Sequence, residues 1–283
     1  MRVAFAGEPG AYSELAAKQY FGDNKKCVAY PEFKDVYNAV ADGKCSYGIL
    51  PIENSLAGSI HENYDRLIEG ELHITGEIYL KISHYLVANS GVKKKAIRQV
   101  YSHPQALAQC KKFLQKMPDV ELVPVSNTAG AVKMINRDKR TDAAAVASMQ
   151  AAYDYSMDVL ARQIEDIKTN QTRFIILGRK PLRVKSQKSA MKTSIVFCAK
   201  NIPGALFKAL SVYALRDIDL YKIESRPAYG KNFEYMFYLD HAGYSEDEAQ
   251  RKALGHLREI TTFERVLGTY YVGRVAHPVY HKR

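Results

Sequence analysis

Thr172-Arg173-Phe174 sets a hydroxyl, a fixed cation and an aromatic ring side by side. Those types suit an anionic ligand that offers a polar group to be held or protonated and an apolar face to pack. Each residue also has an ordinary structural use. Arg173 can pair with a substrate carboxylate or with one of the protein's own, and Phe174 can belong to the core. A threonine hydroxyl is a poor acid, so Thr172 can donate a proton only within a polarised hydrogen-bond network; otherwise it positions a leaving group.

Three further segments carry polar groups at strand or helix ends. Pro51-Ile52-Glu53-Asn54-Ser55, followed by Gly58-Ser59, puts four polar side chains after an apolar run. It reads either as an Asn/Ser turn with Glu53 in solvent, or as a site where Asn54, Ser55 and Ser59 donate to substrate oxygens without titrating. Ser102-His103-Pro104-Gln105 opens a helix, with Ser102 or His103 near the cap, Pro104 in the first turn and Gln109 further along. A lone histidine there is structural or part of a site, and no Ser/His/Asp spacing supports hydrolysis. Gly7-Glu8-Pro9-Gly10-Ala11-Tyr12-Ser13-Glu14 is a glycine turn entering a helix, either a plain cap or an anion cradle. It lacks GxGxxG spacing, which disfavours a nicotinamide cofactor.

In order along the chain, and joined by Glu224-Ser225-Arg226-Pro227, these segments resemble the prephenate dehydratase family, whose members carry a C-terminal ACT regulatory domain. The resemblance covers nearly the whole length. It implies decarboxylating dehydration of prephenate, in which the departing ring hydroxyl needs a proton as the ring carboxylate leaves as carbon dioxide. Aromatisation drives both losses, so the protein need supply only orientation, anion binding and one proton. The family reading makes Thr172 the donor with Arg173 beside it, and Glu53, Asn54, Ser55, Ser59, Ser102, Gln109 and Phe174 line the substrate site. It implies no metal and no organic cofactor. Asn201, Gly204, Ala205 and Leu206, with Glu224, Ser225 and Arg226, resemble the paired phenylalanine-binding signatures of ACT domains. Phenylalanine is therefore the expected effector, bound between ACT domains of a homo-oligomer. That oligomer is a dimer or tetramer built through ACT and catalytic domains. Arogenate dehydration is the nearest alternative, and a non-catalytic amino-acid sensor is an alternative of another class. No chorismate mutase segment precedes the first strand, so a monofunctional chain is expected.

The bulk properties fit. At 283 residues, 47% hydrophobic and 25% charged, two or three soluble units are expected. No apolar run spans a bilayer and no signal peptide is apparent, so a cytoplasmic protein is expected. Cys27, Cys45, Cys110 and Cys198 are scattered, which points to reduced thiols and against disulfides or zinc. The net charge of +11 is dispersed apart from Lys93-Lys94-Lys95 and the run from Arg179 to Lys192. Neither run sits in a nucleic-acid motif, so the excess serves a solvated surface and the attraction of a dianion.

Elements that must position these residues follow from periodicity. Strands are expected at Arg2-Ala6, Cys27-Tyr30, Tyr47-Pro51, Ile78-Ala88, Gln99-Ser102, Glu121-Val125, Ala143-Ala147 and Phe174-Leu177. Helices are expected at Ser13-Tyr20 (capped by Ser13), Phe33-Asp42, Pro104-Met117, Thr128-Arg137 and Ser148-Tyr155. The alternation predicts a two-lobed α/β catalytic region, 1–180, resembling type II periplasmic binding proteins. Lobe one is about 1–76 plus 170–180 and lobe two about 77–169. Pro51-Ser55, Ser102-Gln105 and Ser126-Thr128 follow strands and should face the cleft. A linker at 181–191 then leads to a ferredoxin-like α+β domain, 192–283, with β-α-β-β-α-β order. Its strands are expected at Thr193-Ala199, Ile218-Pro227, Phe233-Asp240 and Glu264-Tyr271.

Overall fold

The structure, a computed structural model, describes residues 1–184, 190–227 and 235–281. Part of the expected linker, 185–189, and the expected strand start at Phe233 lie outside the described residues. The chain runs β1 (Arg2–Ala6), α1 (Tyr12–Phe21), β2 (Lys26–Tyr30), α2 (Phe33–Ala41), β3 (Tyr47–Asn54), β4 (Gly58–Ser59), α3 (His61–Glu69), β5 (His73–Lys81) and β6 (Tyr85–Ala88). It continues β7 (Gln99–Ser102), α4 (Pro104–Gln109), α5 (Lys111–Leu114), β8 (Glu121–Pro124), α6 (Thr128–Arg137), β9 (Ala143–Ala147), α7 (Met149–Asp154), β10 (Asp158–Ala161) and β11 (Gln171–Gly178). The last part is β12 (Met191–Ala199), α8 (Ala205–Ala214), β13 (Leu220–Pro227), β14 (Tyr235–Ala242), α9 (Glu248–Ile260), β15 (Thr261–Tyr271) and β16 (Val275–Ala276).

Among the described residues these strands form three sheets. The first has the order β16-β5-β11-β3-β1-β2, with β4 on β3. The second has the order β10-β6-β9-β7-β8, with β7 parallel to both neighbours and β6 antiparallel to both of its own. The central strands carry buried apolar stretches, Val3 to Phe5 in β1, Ile49-Leu50 in β3 and Phe174 to Leu177 in β11, as strands covered on both faces require, while polar residues gather at the end of β3 and the start of β11. Even Ala143–Ala147, rich in a helix former, is a strand whose every residue is buried. Its small side chains leave room for α6, which buries Val132 and Ile135.

The chain divides into two compact units. One comprises Met1–Asn63, Ile78–Phe174 and Arg274–Arg283; the other comprises Tyr64–Glu77 and Ile175–Gly273. The second unit holds the third sheet, antiparallel in the order β13-β14-β12-β15, with α8 and α9 supplying the ferredoxin-like β-α-β-β-α-β succession. Its core joins Ile195, Phe197, Tyr213, Leu239, Leu254 and Leu257.

Three local expectations need correction. Ser13 does not cap α1: the cap is Ala11, and Glu14 instead accepts the Gly10 N–H at 2.7 Å. The helix expected from Pro104 to Met117 breaks at Cys110, whose φ of −112° and ψ of 20° are not helical. The continuous strand expected over Ile78–Ala88 is two strands of different sheets, β5 and β6. The N–H groups at the break bond elsewhere, Ile82 to the Asn170 carbonyl and His84 to the Glu165 carboxylate. Strand periodicity cannot show such a crossing, because both strands are apolar. The break places Ser83 and His84 between the first two sheets.

Candidate active site

A cavity of about 510 Å³ opens within the first unit, walled from both sheets. The first sheet contributes the turn after β1, the end of β3 and the start of β11; the second contributes the segments after β7 and β8. Several helices begin at its wall, among them α2 at Phe33. Tyr12 and Ser13 open α1, Gln105 and Ala106 lie in the first turn of α4, and Thr128 opens α6. Local chemistry fixes these starts. Pro104 occupies the first turn of α4 while the His103 Nδ1 accepts the Gln105 N–H at 3.2 Å. The Asn127 side chain accepts the Gly130 N–H at 2.6 Å. Uncapped N–H groups and the positive helix ends give the cavity an affinity for anions. Among the described residues its wall includes no lysine or arginine, so this backbone field is its main attraction for negative charge.

Within the wall a hydrogen-bond chain links elements of the first two sheets. The Asn54 Oδ1 accepts the backbone N–H groups of Leu56 and Ala57, each at 3.1 Å. Its amide nitrogen therefore faces the other way and donates to the Asn170 Oδ1 at 2.8 Å, the Gln171 carbonyl at 3.1 Å and the Thr172 Oγ1 at 3.0 Å. Thr172 thus receives a hydrogen bond from Asn54, which leaves its own O–H hydrogen available to an acceptor in the cavity that it lines. Asn170 passes the direction on, since its amide donates to the Gln109 Oε1 at 3.0 Å. The His84 Nε2 contacts the same oxygen at 2.9 Å. Tyr12 ends the chain, donating to the Ser83 carbonyl at 2.6 Å and lying 3.1 Å from the His84 Nδ1.

Burial sets the protonation states. It holds the His84 imidazole below the ordinary histidine range, outweighing the bond to Gln109 and the nearby Glu165 carboxylate, both of which act the other way. Burial also pushes the Tyr12 phenol well above its usual range, with smaller contributions from Tyr280, Cys110 and other neighbours. Both groups are neutral near pH 7. Burial likewise raises the Cys110 thiol, so it is no nucleophile.

The expected site residues fall into two groups. Thr172, Asn54, Gln109 and Phe174 line the cavity. Arg173 and Glu53 do not: each neighbours a lining residue on its strand, and alternation turns it to the opposite face. There Arg173, 5% exposed, lies 3.9 Å from Glu53. Ser55 clamps β11, exchanging its N–H and its hydroxyl oxygen with the Gln171 backbone at 2.9 and 3.0 Å. Ser59 sits on β4 opposite Glu53. Ser102 is fully buried and donates its hydroxyl to the Val146 carbonyl at 2.6 Å, off the cavity wall. Sequence reasoning passed over Tyr12 as a site residue, along with His84, Asn170 and Gln105. Tyr12 lay inside a quoted motif, whereas His84 stood in an apolar run and Asn170 in a polar loop without pattern.

In the second unit, Gly204 has a φ of +75° and precedes α8, while Glu224, Ser225 and Arg226 lie on β13. Cys198 and Arg226 both register with Met236, so the 201–206 segment and Glu224–Arg226 stand at the same end of the sheet. Glu224 pairs with Lys222 at 2.9 Å, and Arg226 pairs with Asp65.

Residues 3–182 match the family model described as prephenate dehydratase. The protein named arogenate dehydratase/prephenate dehydratase 2, chloroplastic, of Arabidopsis thaliana is 47% identical over 281 residues, covering 96% of this chain and 73% of that protein. A solved structure described as prephenate dehydratase in complex with L-Phe, from Arthrobacter aurescens, superimposes with a TM-score of 0.88. It is 30% identical, and the match covers 96% of this chain and 90% of that one. A second structure, described as GqqA, a novel type of quorum quenching acylase, also has a TM-score of 0.88 at 32% identity, covering 96% and 98%. These matches define an enzyme of the hydro-lyase class. The chain belongs to the prephenate dehydratase family.

Proposed function

We propose that the cavity converts prephenate to phenylpyruvate with Thr172 as proton donor. The observation that carries this reading is the direction of the Asn54–Thr172 hydrogen bond, which leaves the Thr172 hydrogen available to a ligand in the cavity. As the ring C–O bond breaks, the departing oxygen takes that proton and leaves as water. The electrons of the ring C–carboxylate bond complete the aromatic ring as carbon dioxide departs, and solvent reprotonates the threonine. One proton is consumed overall. Asn54 polarises Thr172, Gln109 presents its amide N–H groups to a substrate oxygen, and the helix starts hold carboxylates. Phe174 gives the forming ring an apolar wall. Arg173 and Glu53 act from the opposite face, holding β11 and β3 so that Thr172 and Asn54 stay aligned.

Arogenate is the second reading, favoured by Glu32 and Glu62 in the wall, since carboxylates suit the ammonium group that distinguishes arogenate. Purified protein given each substrate decides between them: phenylpyruvate at the higher kcat/KM supports the first reading, phenylalanine at the higher value the second. An acylase needs an activated nucleophile. Among the described residues, no serine or threonine of the wall pairs with a histidine or carboxylate, so dehydration fits this chain better.

The C-terminal residues 192–283 are proposed as an ACT domain joined by the 181–191 linker to the catalytic residues 1–180. Phenylalanine is its effector, bound by Asn201, Gly204, Ala205, Leu206, Glu224, Ser225 and Arg226 between domains of a dimer or tetramer. The exposed Tyr221 and Ile223 on edge strand β13 support pairing there. Gly204→Val, which imposes a branched side chain at positive φ, should relieve phenylalanine inhibition and spare basal turnover. Equal inhibition of both proteins would place the effector elsewhere. Free thiols at all four cysteines suit a reducing cytoplasm. Among the described residues no helix is long and apolar enough to cross a membrane.

A further inference from the structure

The hydrogen-bond chain in the cavity wall has only one self-consistent direction. Turning the Asn54 amide round would set its N–H groups against the Leu56 and Ala57 N–H groups, and its oxygen against the Gln171 carbonyl. Asn54 is therefore fixed by backbone, and Asn170 must present its oxygen to Asn54 and its N–H groups to Gln109. The Gln109 Oε1 faces Asn170, so the neighbouring His84 Nε2 must carry hydrogen for its 2.9 Å contact to attract. Neutral His84 then has a bare Nδ1 at 3.1 Å from the Tyr12 hydroxyl, whose one hydrogen is shared between that nitrogen and the closer Ser83 carbonyl at 2.6 Å. His84 is nearly fully buried and contacts Tyr12 and Gln109 through its ring, with Glu165 held by its backbone N–H.

We infer that His84 is a positioning residue for the dehydration: through its Nε2–H and together with Asn170, it locks the Gln109 amide so that the Gln109 N–H groups face the substrate. Two donors converge on one amide oxygen, which disfavours the flipped rotamer that would point that oxygen at an anionic ligand. This rests on the reading of Gln109 as a donor to substrate. It predicts a defect in kcat rather than in fold, and a rescue that follows hydrogen-bond reach.

The test compares His84→Gln, His84→Asn and His84→Leu by steady-state kinetics with prephenate, with urea unfolding alongside. A glutamine amide reaches the place of Nε2, whereas an asparagine amide reaches only that of Nδ1. His84→Gln should keep kcat within about threefold of wild type, while His84→Asn and His84→Leu should lower it about 10–100-fold with KM nearly unchanged. If His84→Leu fails to fold, the Gln/Asn contrast alone decides. Equal kcat for the Gln and Asn variants, or a defect confined to KM, overturns the inference. Gln109→Leu separates the two readings. If it turns over normally, the role of Gln109 itself is wrong; if it is slow while the three His84 variants match wild type, only the positioning role fails.

Discussion

Replacing Thr172 with valine removes one hydroxyl and keeps β-branched shape on a strand. The structure gives the cost to stability. Thr172 is 8% exposed, and its oxygen is one of three acceptors facing the two hydrogens of the Asn54 amide. When it is lost, the Asn170 oxygen and the Gln171 carbonyl still satisfy both hydrogens, so no buried donor is orphaned. The penalty is that of an ordinary hydrogen bond, about 0.5–1.5 kcal/mol. Against a native stability of about 5–15 kcal/mol the variant stays folded. Loss of a positioned proton donor lowers turnover about 10²–10⁴-fold. At about 1.36 kcal/mol per decade, that is roughly 3–5 kcal/mol of barrier. The kinetic effect therefore exceeds the stability effect, and unfolding cannot account for it. Phenylpyruvate formation at saturating prephenate, with urea unfolding on the same preparation, measures both. Thr172→Ser, which restores a hydroxyl to Asn54, should recover most of the loss. Turnover by Thr172→Val within about threefold of wild type, or a serine variant as slow as valine, would refute the donor role.

Gln109→Glu keeps an oxygen for His84 and Asn170 but turns a second oxygen toward the substrate, so kcat/KM should fall about 10²–10³-fold; a change under about threefold would contradict Gln109 as a donor. Gly10 has a φ of +83°, and a Cβ there would lie 2.5 Å from the Ala151 Cα. Gly10→Ala should cost about 1–3 kcal/mol in urea unfolding and slow turnover, because the displaced turn carries Tyr12; unchanged stability would mean the close approach is relaxed in solution. Since burial depresses the His84 pKa, its neutral form contributes stability that is complete above about pH 6.5, the unfolded value, and is lost as pH falls through the lower folded value. Unfolding free energies should therefore decline over that range, less steeply for His84→Gln, and identical slopes would refute the assignment.

Much of this architecture was legible in sequence because its signals are local. Asn127 and Pro104 announce α6 and α4, and the end of β3 and the segments after β7 and β8 reach the cavity as strand order required. Thr172, Asn54, Gln109 and Phe174 were legible through motif. What stayed hidden depends on distant partners. His84 gains its place only because the chain crosses sheets at residues 82–84, inside an apolar run that reads as one strand. Asn170 matters through Asn54 and Gln109, residues 116 and 61 positions away. The orientations of Arg173 and Glu53 turned on strand phase. Adjacent motif residues on a strand cannot all face one ligand, so a contiguous motif overstates what touches substrate.

The compact units meet along the chain after residues 63, 77, 174 and 273. The first three crossings fall inside or at single elements: α3 spans 61–69, β5 spans 73–81 and β11 spans 171–178. Gene fusion treats a C-terminal module as a cassette to be cut at a loop and moved. A cut between 181 and 191 would carry away most of the second unit and leave residues 64–77 behind with the donor. It would also strand residues 274–281 on the wrong fragment. Moving the second unit intact means exchanging two separated stretches together, 64–77 and 175–273, and hybrids built at the obvious loop should be insoluble more often than their sequence identity suggests.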